Sequence, residues 1–106
     1  MLDLKKKPLI LDDALAILRA HESELKARGV KHAAIFGSLA RGDAREDSDV
    51  DVMVELDPEA HVSLFGFAGL RIVLEELMGT RTDLVQRQAL KPSIKARAEA
   101  EKVDAF

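Results

Sequence analysis

Apolar residues recur along this chain at two different periods. Leu11, Ala14, Leu15, Leu18 and Leu25 fall on one face at the 3.6-residue period of a helix. Asp12 or Asp13 is placed to cap that helix, and Arg28 followed by Gly29 is placed to end it. Val30 to Phe36 reads as a short buried strand. From Asp49 to Leu56 the period shortens to two. Val50, Val52, Val54 and Leu56 then share one face, and Asp49, Asp51, Met53 and Glu55 the other. Asp57-Pro58 breaks this strand. Between the two strands, Gly37 to Ser48 is rich in Gly, Ser, Asp and Arg. It reads as a loop with one helical turn at Ser38 to Arg41.

The second half repeats the alternation of helix and strand. Ser63 caps a predicted helix over Leu64 to Met78, closed by Gly79. It is apolar around most of its circumference, the pattern of a helix largely buried in its own core or against a partner. Thr80 to Gln86 predicts a third, short strand. Pro92 opens a last helix to about Val103, rich in Ala, Lys and Glu and thin in apolar surface. Strands separated by helices predict an α/β layer around a small sheet.

Composition narrows the class. The 106 residues suit one domain, 1–106. Hydrophobic residues are 47% and charged residues 33%, a globular mix. With four Phe and no Trp or Tyr, the core must be aliphatic. Sixteen basic against nineteen acidic residues argue against direct nucleic-acid binding. Cysteine is absent, which removes disulfides and thiolate metal sites. No apolar run is long enough to span a membrane. No signal-type apolar stretch follows the N-terminus, so a cytoplasmic protein is expected. Lys5-Lys6-Lys7 reads as a solvated tail.

The candidate chemistry lies in two short motifs. Asp49 and Asp51 sit two apart on a strand, so both carboxylates project from one face. Alone, that is an ordinary solvent-facing strand surface. On an otherwise apolar strand, two like charges need a cation or a shared proton, and magnesium prefers such oxygens. Upstream, Gly37-Ser38 follows a buried strand and opens a helical turn. Glycine there permits close backbone approach, and the hydroxyl and free N–H groups suit phosphate.

The run from Ile35 to Val54, Ile-Phe-Gly-Ser-Leu-Ala-Arg-Gly-Asp-Ala-Arg-Glu-Asp-Ser-Asp-Val-Asp-Val-Met-Val, resembles the signature of the DNA-polymerase-β-like nucleotidyltransferases. Within that superfamily it is most similar to the minimal nucleotidyltransferases, often paired with HEPN-domain toxins as antitoxins. The resemblance implies an α/β (α+β) fold: a small mixed sheet flanked by about four helices. It implies a third catalytic carboxylate on a neighbouring strand, and Asp83 in Arg81-Thr82-Asp83-Leu84-Val85 fits. It implies that Asp49, Asp51 and Asp83 are the catalytic, metal-holding acids, with two Mg2+ expected. Gly37 and Ser38, with Arg41 one turn on, would bind the nucleotide, and Arg81 is a weaker candidate for phosphate. The implied reaction transfers AMP from ATP to a hydroxyl of a protein partner, a tyrosine of a HEPN toxin held in a hetero-oligomer.

Other residues read blandly. Asp43, Arg45, Glu46 and Asp47 belong to a solvated loop, and Ser48 holds its last turn. His21, His32 and His61 read as helix surface, strand edge and loop, without metal-ligand spacing. Glu55 reads as a rim residue, and Phe65 and Phe67 as core or interface. Two rival readings stay open: an antitoxin that acts by binding alone, and a subunit of an antibiotic-modifying nucleotidyltransferase.

Overall fold

Alternation along one central strand sets the two faces of the sheet. A computed structural model describes residues 9–106, so the Lys5-Lys6-Lys7 tail lies outside the described residues. The central strand is β2 (Val50–Leu56), paired antiparallel to β1 (Val30–Phe36) and parallel to β3 (Thr82–Gln86). A fourth strand, β4 (Val103–Asp104), pairs antiparallel to β1 through Ala34↔Asp104 and Ile35↔Val103. The sheet order is β3-β2-β1-β4, a mixed sheet as expected.

One face of the sheet is aliphatic. Val50, Val52, Val54 and Leu56 are all buried there, with Val52 fully so. Helices α1 (Leu11–Ala20), α2 (Glu22–Ala27) and α4 (Leu64–Met78) cover that face. They contribute Ala14, Leu15 and Leu18, then Leu25, then Leu70, Leu74 and Met78 to one cluster. The opposite face bears the acids and receives α5 (Pro92–Glu101), whose only buried residue is Ala98. Charge therefore holds α5 in place: Arg87 donates to both Glu55 and Glu99.

Three expectations need correction. The first helix is two helices. Its Ile10 occupies the cap, and Asp13 sits inside, its carboxylate accepting from the Ile10 N–H at 3.3 Å. His21 leaves helical geometry at φ −109°, ψ 19°, so it breaks the helix and is not helix surface. This turn lets Leu25 reach the core beside Val30. The last helix stops at Glu101, because Val103 and Asp104 are drawn into the sheet. That extra strand makes β1 interior, so His32 is exposed on an inner strand and not on an edge.

The helix α4 keeps its expected bounds and its Ser63 cap, the Ser63 hydroxyl accepting from the Gly66 N–H at 3.0 Å. The chain's own core buries only one side of it, at Leu70, Leu74 and Met78. Leu64 and Phe65 are 82% and 88% exposed, and Ile72 is half-exposed. Phe67 alone of the two phenylalanines packs against the core. No helix among the described residues is long and apolar enough to cross a membrane.

Candidate active site

Three chain segments meet at the acid end of β2. The β1 strand delivers Phe36 opposite Asp51, and the chain then turns into the one-turn helix α3 (Gly37–Arg41). Gly37 makes this turn possible for two reasons. Its φ is +73°, and a Cβ there would lie 2.2 Å from the Asp51 carboxylate oxygen Oδ2. Glycine is the residue that tolerates both the left-handed backbone and the close approach. Ser38 follows, half-buried, in the first turn of α3.

The acids converge. Asp49 precedes β2 by one residue and Asp51 lies inside it, both half-buried. Parallel pairing places Asp83 directly beside Asp51, on the same face of the sheet. Neighbouring strands are about 4.8 Å apart, so the two carboxylates feel each other strongly. Burial first, then the charges of Asp83 and Asp49, pushes Asp51 up to about 6, while Arg41 pulls it the other way. A carboxyl so placed wants a positive partner. Hard carboxylate oxygens crowded at one point fit a divalent cation such as magnesium in kind. Yet no three His, Asp or Glu among the described residues form a ready-made cage. Magnesium needs none, since it keeps waters and takes phosphate oxygens beside one or two carboxylates.

The two arginines are engaged by protein acids. Arg41 donates from Nε to Asp43 at 3.2 Å and from Nη1 to Glu101 at 3.1 Å. Arg81 is 84% exposed at its side chain, with Nε 3.6 Å from the Asp49 carboxylate. Glu101 is the residue sequence reasoning missed. It ties α5 to α3 through Arg41 and adds negative field at Asp51. No sequence signal marks it, because it is one of two glutamates in a polar helix.

The remaining candidates lie away from the acids or at their margin. His21 Nδ1 sits 3.3 Å from Glu24, and His61 occupies a left-handed turn at φ 50° in a loop. Glu55 serves as an anchor for Arg87 at 2.8 Å, beyond Met53 on the acid face. Ser48 accepts from the Arg45 N–H at 2.9 Å, closing the loop turn before Asp49.

Known proteins resemble this chain. The nucleotidyltransferase domain family matches residues 18–105. A protein adenylyltransferase, MntA, of Thermococcus cleftensis is 46% identical over 87 residues, covering 81% of this chain and 86% of the relative. A candidate protein adenylyltransferase of Methanocaldococcus jannaschii is 37% identical over 91 residues, covering 84% and 91%. The solved structure of a candidate minimal nucleotidyltransferase superposes with a TM-score of 0.78 at 33% identity, covering 92% of this chain and 98% of that one. The fold recurs at 13% identity and a TM-score of 0.63, over 87% of this chain and 71% of that one, in a Shewanella oneidensis complex of tri-AMPylated HEPN toxin with MNT antitoxin. This chain belongs to the nucleotidyltransferase domain family, as a minimal nucleotidyltransferase of the polymerase-β-like superfamily.

Proposed function

We propose that this chain is a protein adenylyltransferase that moves AMP from ATP to a hydroxyl of a protein partner. The partner is a HEPN-domain toxin, the acceptor a tyrosine, and the chain its antitoxin. The observation that carries this reading is the pairing of Asp51 with Asp83, with Asp49 beside them. Similarity to protein adenylyltransferases over most of both chains supports it.

The residues divide the work. Gly37 and Ser38 receive the β- and γ-phosphates, Gly37 because its missing side chain lets them approach Asp51. Asp49 and Asp51 would hold one magnesium ion, and Asp83 with the same pair a second. When bound, magnesium neutralises phosphate charge and stabilises the entering and leaving oxygens. The acceptor hydroxyl oxygen forms a bond to the α-phosphorus as the bond from that phosphorus to the bridging oxygen breaks. Pyrophosphate leaves with that oxygen. The hydroxyl proton passes to the Asp83 carboxylate, exposed at the open side of the cluster. Arg41 can still turn its remaining N–H groups toward phosphate, since Asp43 and Glu101 occupy two of its five.

A second reading, inhibition of the partner by contact alone, draws on the neutralisation of Arg41 by two acids. The test is incubation of the chain with labelled ATP, magnesium and a HEPN-domain toxin, followed by intact-mass analysis. Transfer adds AMP to the partner, and Asp51→Asn abolishes the gain. Unlabelled partner that is still inhibited, with no heat of MgATP binding, would establish the contact reading instead.

A further inference from the structure

Arg41 ends α3 one turn after Ser38, so the two side chains share one side of that short helix. Its guanidinium is gripped at two points. Nε donates to Asp43 at 3.2 Å and Nη1 to Glu101 at 3.1 Å. The two acids differ in their surroundings. The Asp43 side chain is 62% exposed and that of Glu101 only 21%, so water screens the Glu101 contact less. We propose that Glu101 is a positioning residue, which holds the Arg41 guanidinium ready for the triphosphate of the nucleotide. The inference rests on the transfer reading above and adds how a half-exposed arginine is kept in place.

The fold mounts this carboxylate firmly. Glu101 is the last residue of α5, and the Lys102 N–H donates to the Ala98 carbonyl at 2.8 Å to close that helix. The chain then enters β4, where Val103 pairs with Ile35 of β1. Ile35 stands two residues before Gly37, and Val103 two residues after Glu101. The phosphate turn and the carboxylate therefore leave the same strand pairing at equal distances. Farther back along α5, Arg87 ties Glu99 to Glu55 of β2. Helix α5 is thus anchored to the sheet by its charges and by the strand that follows it.

Glu101 is poorly placed for the fold alone. It stands at a helix C-terminus, where the free carbonyls repel an anion. It also adds to the negative field at Asp51, which Arg41 opposes. What the pairing supplies is order. A free arginine samples many rotamers, whereas contacts on Nε and Nη1 fix the plane of its fork. Both N–H groups of Nη2 stay available for phosphate oxygens. An arginine ordered beforehand loses less freedom when the nucleotide binds.

The test separates position from charge. The chain and its variants are titrated calorimetrically, in magnesium, with ATP and with inorganic tripolyphosphate. Glu101→Ala is expected to weaken both ligands by about threefold to tenfold, the cost of ordering one long side chain on binding. Glu101→Asp keeps the charge but withdraws it by one methylene, and is expected to lose as much. Glu101→Gln keeps the acceptor oxygen without the charge, and should restore binding at least to that of the natural chain. In an Arg41→Ala background, Glu101→Ala should change nothing further. Binding by Glu101→Ala as tight as that of the natural chain, or tighter, overturns the inference. So does a loss of the same size in the Arg41→Ala background. Either result leaves the transfer reading standing, whereas a natural chain that binds neither ligand overturns both. If Glu101→Ala does not fold, Glu101→Asp decides in its place.

Discussion

The two faces of β2 are one residue apart in sequence and opposite in their physics. On one, Val50, Val52, Val54 and Leu56 are between 0% and 7% exposed and pack beneath α1 and α4. On the other, Asp49, Asp51 and Glu55 stay half-exposed, and only Met53 is buried. The first face gains free energy by excluding water. The second spends some of it, by crowding carboxylates that a cation or a proton relieves. Strand periodicity lets a single segment do both, because alternate side chains answer to different surroundings. Substitutions on the acid face should therefore cost function while sparing the fold, and substitutions on the aliphatic face the reverse.

The largest separation is expected from Gly37→Ala. A Cβ at 2.2 Å from the Asp51 oxygen must displace that carboxylate. Misplacing a catalytic group by about 1 Å can cost on the order of 10²-fold. Adenylyl transfer per folded molecule should fall by about that factor in a steady-state assay, while the left-handed alanine costs about 1–2 kcal/mol in urea unfolding. Val52→Ala is the counterpart. Val52 is 0% exposed, and its truncation should cost about 2 kcal/mol in urea unfolding. Transfer per folded molecule should stay within about twofold. Equal losses of stability and activity in both variants would abolish the contrast.

A smaller effect concerns pH. Folding raises Asp51 from 3.8 to about 6, so the folded chain holds that proton more tightly than the unfolded chain. The stability this contributes is fully present below about pH 4 and is lost as pH rises through 6. Its size is about 1–2 kcal/mol, discounted because the carboxylate is partly solvated. In chelator, the unfolding free energy of Asp51→Asn minus that of the natural chain should therefore grow between pH 4.5 and 7.5. A difference that is flat, or that shrinks, would show that Asp51 is not strained. The smallest effect is expected from Phe65→Ser. That ring is 88% exposed, so stability should change by less than about 0.5 kcal/mol in the same urea titration.

Local chemistry explains what could be read from the sequence. The β2 alternation, the Ser63 cap, the Gly79 terminus and the Gly-Ser turn each rest on a few adjacent residues, and each stands where expected. The position of Asp83 beside Asp51 is a long-range fact, supplied by resemblance and not by spacing. What escaped was decided by tertiary packing. Nothing at His21 forbids a helix; the need to bring Leu25 onto the core bends the chain there. Val103-Asp104 is too short for a periodic signal, and it becomes a strand because β1 has a free edge. The apolar circumference of α4 reads as buried in a core or against a partner, and composition alone does not say that its own core takes only the side of Leu70, Leu74 and Met78. The pairing of Arg41 with Glu101 joins residues 60 apart, which no local signal announces.

The parallel seam between β2 and β3 has one further consequence. Adjacent residues of a strand project to opposite sides, so sliding β3 by a single position would carry Asp83 through to the aliphatic layer. Thr82 and Leu84, both buried, would then be turned out into water. Two unremarkable neighbours thus keep the acid on the correct side, and they guard the chemistry without ever meeting a nucleotide.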